Sequence, residues 1–126
     1  MKMLMQASNP WAVVFYETSR GDRPAEAWLK SQDVKVQARF GRIFDLLEEH
    51  GTNVREPYVA HLRDKIWEVR LEHQRIQYRL LYFPAPRRRF VMLHGFVKKT
   101  RRAPARELEI AEQRMRDYMQ RRDQEG

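Results

Sequence analysis

The chain has no cysteine among its 126 residues, so a disulfide framework, a thiolate metal site and a cysteine nucleophile are all excluded. No apolar run approaches the ~20 residues needed to span a bilayer. The first ten residues are too short and too weakly apolar for a signal peptide. A soluble, cytoplasmic protein without membrane association is expected. Only five glycines are present, and none builds a phosphate-binding loop or a dinucleotide fingerprint. No serine sits in a nucleophile elbow. The four histidines, at 50, 61, 73 and 94, lack paired metal-ligand spacing, so neither metal nor cofactor is expected. The last absence is local: no acidic residue lies between Glu72 and Glu107, while that stretch carries ten Arg and Lys. The remaining residues carry fifteen positive and seventeen negative side chains, net −2 within a total of +8. The basic character is therefore confined to one stretch, and a pI near 10.2 points it at polyanions such as RNA or ribosomes.

A hydrophobic content of 42% with three Trp, five Tyr and six Phe argues for one folded domain. The layout expected is a flexible stretch over 1–10, a domain over 11–119 and a polar tail over 120–126. Trp11–Tyr16 is an aromatic, β-branched run that predicts a strand. Asp22 is placed to cap a helix with Pro24 in its first turn. A second helix starts near Ser31 or Asp33, carries the stripe Val36, Phe40, Ile43, Phe44 and Leu47, and stops at an αL Gly51. Residues 52–64 read as a loop or weak extended segment.

Three strands follow. In 66–71, Trp67, Val69 and Leu71 share one face, leaving Glu68 and Arg70 on the other. In 75–83, Arg75, Gln77 and Arg79 lie opposite Ile76, Tyr78, Leu80 and Tyr82. Pro84-Ala85-Pro86 predicts a turn, and Phe90–Val97 the third strand. A helix starting at Pro104 carries Leu108, Ala111, Met115, Tyr118 and Met119 on one stripe. The fold class expected is α+β: a small antiparallel sheet, made of the N-terminal strand and a three-stranded meander, packed with two N-terminal helices and one C-terminal helix.

The residues allow one chemistry above others. If Arg70, Arg79, Lys98 and Lys99 converge, they form a cationic site for phosphate, because guanidinium forks hold phosphate oxygens and lysine adds point charge. Fixed cations of this kind stabilise the charge that grows on a phosphate when a ribose 2′-hydroxyl attacks it. His94, or a lysine with a lowered pKa, is the candidate to move protons. Arg75, the hairpin-tip arginines Arg87, Arg88 and Arg89, and Arg101 and Arg102 are candidates for RNA-backbone contacts, with Phe96 for base stacking. The plainer assignment stands beside each: strand arginines as a solvated or salt-bridged face, and His94, Phe96 and Tyr78 as packed strand residues.

The series HLRDKIWEVRL, QYRLLYF and VMLHGFVKKT, followed by a proline-initiated helix with Glu107, Ala111 and Arg114, resembles the phage-derived, HigB-like branch of the RelE/ParE toxin superfamily over roughly residues 12–119. The resemblance implies a RelE-like fold and a type II toxin that enters the ribosomal A site and cuts mRNA without a metal. It implies a helix-turn-helix antitoxin as partner, with operator DNA reached only through that antitoxin. Carried over by position, Arg70, Arg79, Lys98 and Lys99 match the basic functional positions. Ala103 departs from the Thr often found before the helix. The superfamily also includes gyrase poisons that cut no RNA, so a non-nuclease inhibitor and an RNA-binding phage remnant stay open beside the nuclease.

Overall fold

The computed structural model describes residues 10–101 and 104–125, with side chains to residue 122. The elements are β1 (Ala12–Phe15), α1 (Pro24–Lys30), α2 (Val34–His50), a short 3₁₀ turn (Gly51–Asn53), β2 (Val59–Arg63), β3 (Ile66–His73), β4 (Ile76–Ala85), β5 (Arg89–Lys98) and α3 (Ala105–Glu125). The class is α+β, as expected. The sheet has five strands in the order β1-β5-β4-β3-β2, and it is mixed, because β1 pairs with β5 in parallel.

Two details of the sheet depart from the expectation. Residues 59–63 form a strand because β3 supplies a partner, pairing Val59 with Val69 and His61 with Trp67. The sequence VAHLR alone alternates too weakly to announce it. β1 and β5 are far apart in the chain, so adjacency in sequence carries no sign of their parallel pairing.

Strand parity distributes the core. Val69, Leu71, Tyr78, Leu80, Tyr82, Phe90 and Met92 pack against Ala25 and Leu29 of α1 and Val36, Phe40, Ile43 and Leu47 of α2. Burial of each such large side chain contributes about 1.5–3 kcal/mol. Ile66, Leu81, Phe83, Val91 and Leu93 line the opposite face, against Ala111, Leu108, Met115 and Tyr118 of α3. A register shift opposite Leu81 and Tyr82 inserts Leu93 between His94 and Met92, a bulge that reorients the rest of β5. Gly95 consequently lies under Trp28, whose ring occupies the space a Cβ would fill, 2.1 Å from it.

Helix ends are set locally. Asp33 caps α2 by accepting from the Lys35 N–H at 3.0 Å. Asp22 does not cap α1: its backbone is tied to Thr18 in a turn, and Arg23 takes the N-cap position with no side-chain bond. Gly51 has positive φ (59°) but ψ of −132°, outside the αL region, and the Trp11 indole stands 2.5 Å from where its Cβ would be.

β4 continues through Pro84, paired with Phe90, and Ala85, paired with Arg89. Pairing of β3 with β4 ends at Trp67 and Tyr82, so Pro84 lies where β4 has a neighbour on one side only and a missing N–H is tolerated. The segment expected to be a polar tail is helical as far as Glu125. Arg121 holds it there by bonding Asp117 at 3.0–3.1 Å and donating to the Glu17 carbonyl.

Candidate functional site

β3 and β4 are joined through Gln74 and Arg75, both at positive φ (52° and 68°). Two such residues make a type I′ hairpin turn, which fixes strand register. Arg70 thereby stands directly opposite Arg79. Pairing of β4 with β5 sets Phe96 opposite Arg79 and Lys98 opposite Gln77. Residues two apart share a sheet face, so Arg70, Arg79 and Lys98 stand together on the α3 side, next to the rows that α3 covers.

Glu68 lies within this group. Its carboxylate is 3.6 Å from Arg70 Nε and 3.6 Å from Arg79 Nε. Glu68 and Arg79 are 5% and 4% exposed, and they are the buried charged side chains among the described residues. Neither Glu68 Oε1 nor Arg79 Nε makes a hydrogen bond. The Arg79 guanidinium is instead fixed from one end, donating from Nη1 to the Tyr78 carbonyl at 2.9 Å and to Gln77 Oε1 at 3.4 Å. Arg70 is partly exposed, with Glu56 3.9 Å away. Burial pushes the Glu68 carboxyl above its ordinary range, against the pull of Arg79, Arg70 and Lys98. Burial also lowers Arg79, against the pull of Glu68, but a guanidinium stays charged at neutral pH.

The arginines open onto a cleft of about 760 Å³. It forms where β3 outruns β2, at the point where the Arg70 N–H bonds the Tyr58 carbonyl. Arg39 and Arg42 of α2 line it from one side, Glu56–Tyr58 from another, and Arg70, Gln77 and Arg79 from the sheet. Arg39 also donates to the Glu72 carbonyl. Tyr58 is 43% exposed.

The other residues singled out from sequence are placed differently. Lys99 follows the end of β5 and is exposed, as is Arg101. Arg102 lies outside the described residues. Arg75 occupies the hairpin turn, not the strand, at the same end of the sheet as Lys98. Arg87, Arg88 and Arg89 stand at the opposite end of β4, with Arg89 paired to Ala85, six residues or roughly 20 Å of strand from Arg79. Arg88 is drawn over the Trp11 ring, 5.9 Å from its centroid.

His94 is engaged by α3. Its Nε2 is 2.5 Å from Glu107 Oε1 and its Nδ1 faces Arg114 Nη1 at 3.5 Å. Burial lowers its pKa, although Glu107 pulls the other way. Phe96 is 6% exposed and stacks on His94, so its ring is not presented to a base. Both therefore occupy the packed positions that the sequence left open for them.

Glu68 stands within the arginine cluster, and Gln77, Arg39, Arg42 and Tyr58 line the cleft; none of them was a candidate from sequence. Strand parity puts Glu68 on the Arg70 face, which was the available signal. Nothing in the sequence places α2 beside β3.

Residues 27–116, from α1 into α3, match the family described as phage derived protein Gp49-like (DUF891). The chain belongs to the phage-derived Gp49-like family. No curated protein matches it. The Gp49-like family is toxin-like and associated with toxin–antitoxin systems, so membership implies an antitoxin partner in general. The match spans every residue of the Arg70, Arg79 and Glu68 cluster and the α2 wall of the cleft. Among the described residues, no helix is long and apolar enough to cross a membrane.

Proposed function

We propose that this Gp49-like protein is the toxin of a type II toxin–antitoxin pair and a ribosome-dependent mRNA endonuclease of the RelE/ParE superfamily. It acts in the cytoplasm, uses the ribose 2′-hydroxyl as nucleophile and needs no metal. Its antitoxin is a helix-turn-helix protein through which alone it reaches operator DNA. The observation that carries the proposal is the facing of Arg70 and Arg79 across β3 and β4, with Lys98 on the same face. As the 2′-oxygen attacks, negative charge accumulates on the phosphate, and cations already in place stabilise it without reorganising. Arg70 and Lys98, the partly exposed members, contact the phosphate. Arg79 supplies charge from beneath, and Lys99 extends the positive field past the end of β5.

A second reading, an inhibitor of the same fold that does not cut RNA, draws support from two features. The cationic pair is partly neutralised by Glu68 and Glu56, and His94 is held by Glu107. Primer extension on a reporter mRNA after brief induction separates the two. The nuclease predicts discrete cuts within translated sequence that vanish when translation is blocked. Growth arrest with intact message, or with DNA-damage signalling, favours the inhibitor.

A further inference from the structure

Glu68 and Arg79 are buried side by side, yet the atoms that face each other are left without hydrogen bonds at 3.6 Å. A carboxylate this near two guanidinium groups ordinarily takes their N–H donors at 2.7–2.9 Å. Here it supplies counter-charge and leaves the Arg79 Nε donor uncommitted. The charged groups facing it are Arg70 on its own strand, Arg79 on β4 and Lys98 on β5, with Glu56 reaching Arg70 from the loop before β2.

We propose that Glu68 is an internal counter-anion holding the place of a substrate phosphodiester, and that binding of the phosphodiester at Arg70 and Arg79 moves one proton from solvent onto Glu68. The step conserves charge: the ligand brings one negative charge, and the carboxylate gives one up as its O–H bond forms. It rests on the assignment of Arg70 and Arg79 as the phosphate site. Burial already favours the protonated form of Glu68, which lowers the cost of the step. By linkage, affinity for the phosphodiester falls with rising pH, by up to about tenfold per unit.

The test is calorimetric titration of the full chain with a 2′-deoxy trinucleotide, which cannot be cleaved and whose phosphodiesters stay ionised throughout. Two buffers of different ionisation enthalpy reveal proton uptake. The expected result is uptake in the unaltered chain that disappears in Glu68→Gln, together with an affinity that falls from pH 6 to pH 8 only when Glu68 is present. Binding without uptake, equal uptake in Glu68→Gln, or no binding overturns the proposal. Should Glu68→Gln fail to fold, infrared difference spectroscopy of the unaltered chain decides. A protonated-carboxyl stretch must appear on probe binding, and its absence overturns the assignment. Translation-dependent cleavage is measured separately, so binding without proton uptake removes the role of Glu68 while leaving the nuclease standing.

Discussion

Arg70 and Arg79 face each other as a cross-strand pair on β3 and β4, an arrangement that is destabilising for two like charges in isolation. Glu68, 3.6 Å from each, offsets it. Under the proposed function, the two arginines are held together at this cost so that an anion can bind them.

Removing Glu68 leaves Arg79 buried without counter-charge. Glu68→Ala is expected to destabilise the fold by about 3 kcal/mol, the usual cost of stripping one partner from a buried pair. Replacing both residues by apolar ones of similar size, as in Glu68→Leu with Arg79→Met, should recover most of that loss. Urea denaturation of the single and double variants checks this. A double variant no more stable than Glu68→Ala contradicts it.

The pH dependence of stability has two components of opposite sign. For His94 the folded pKa is depressed below 6.5 by burial, so the unfolded chain binds more protons there. That contribution is lost as pH falls from 6.5 through the folded value. For Glu68 the folded pKa is raised above 4.5 by burial, so the folded chain binds more protons and stability falls as pH rises through that window. His94→Gln should therefore flatten the acid-side loss, and Glu68→Gln the decline above pH 4.5, in denaturation curves recorded across pH 4 to 8. Unchanged slopes in both variants refute the two assignments.

Gly95 is required by the Trp28 ring, which stands 2.1 Å from the position of an added Cβ. Gly95→Ala forces the indole or β5 to move and is expected to cost about 1–3 kcal/mol, as overpacking does. Thermal melting reads the loss. A melting temperature equal to that of the unaltered chain shows that the ring yields freely.

Much of the fold was legible because parity and periodicity carry it. The α2 stripe of Val36, Phe40, Ile43 and Leu47, the core faces of β3 and β4, and the shared face of Arg70 and Arg79 all follow from spacing alone. What was not legible depends on partners distant in the chain. β2 exists as a strand because β3 pairs with it, and β1 is parallel because β5 receives it. Pro84 stays in a strand because β3 has already ended beside it. The same limit applies to the site. Residue type set Arg79 in the phosphate cluster and the hairpin-tip arginines apart as backbone contacts, but their distance from each other depends on the length of β4, which puts them at opposite ends of the sheet. His94 has the chemistry of a base, but only the packing of α3 shows that Glu107 engages it.

The central claim is that Arg70 and Lys98, not the basic hairpin tip, act on the scissile phosphate. The most direct measurement is the single-turnover rate at which purified protein cuts an mRNA held on the ribosome, compared across Arg70→Ala, Lys98→Ala and Arg87→Ala. Arg70→Ala and Lys98→Ala should each slow cleavage by about 10²–10³-fold, the loss typical of one transition-state contact. Arg87→Ala should leave the rate close to that of the unaltered chain. Cleavage that survives in Arg70→Ala and Lys98→Ala but collapses in Arg87→Ala contradicts the account.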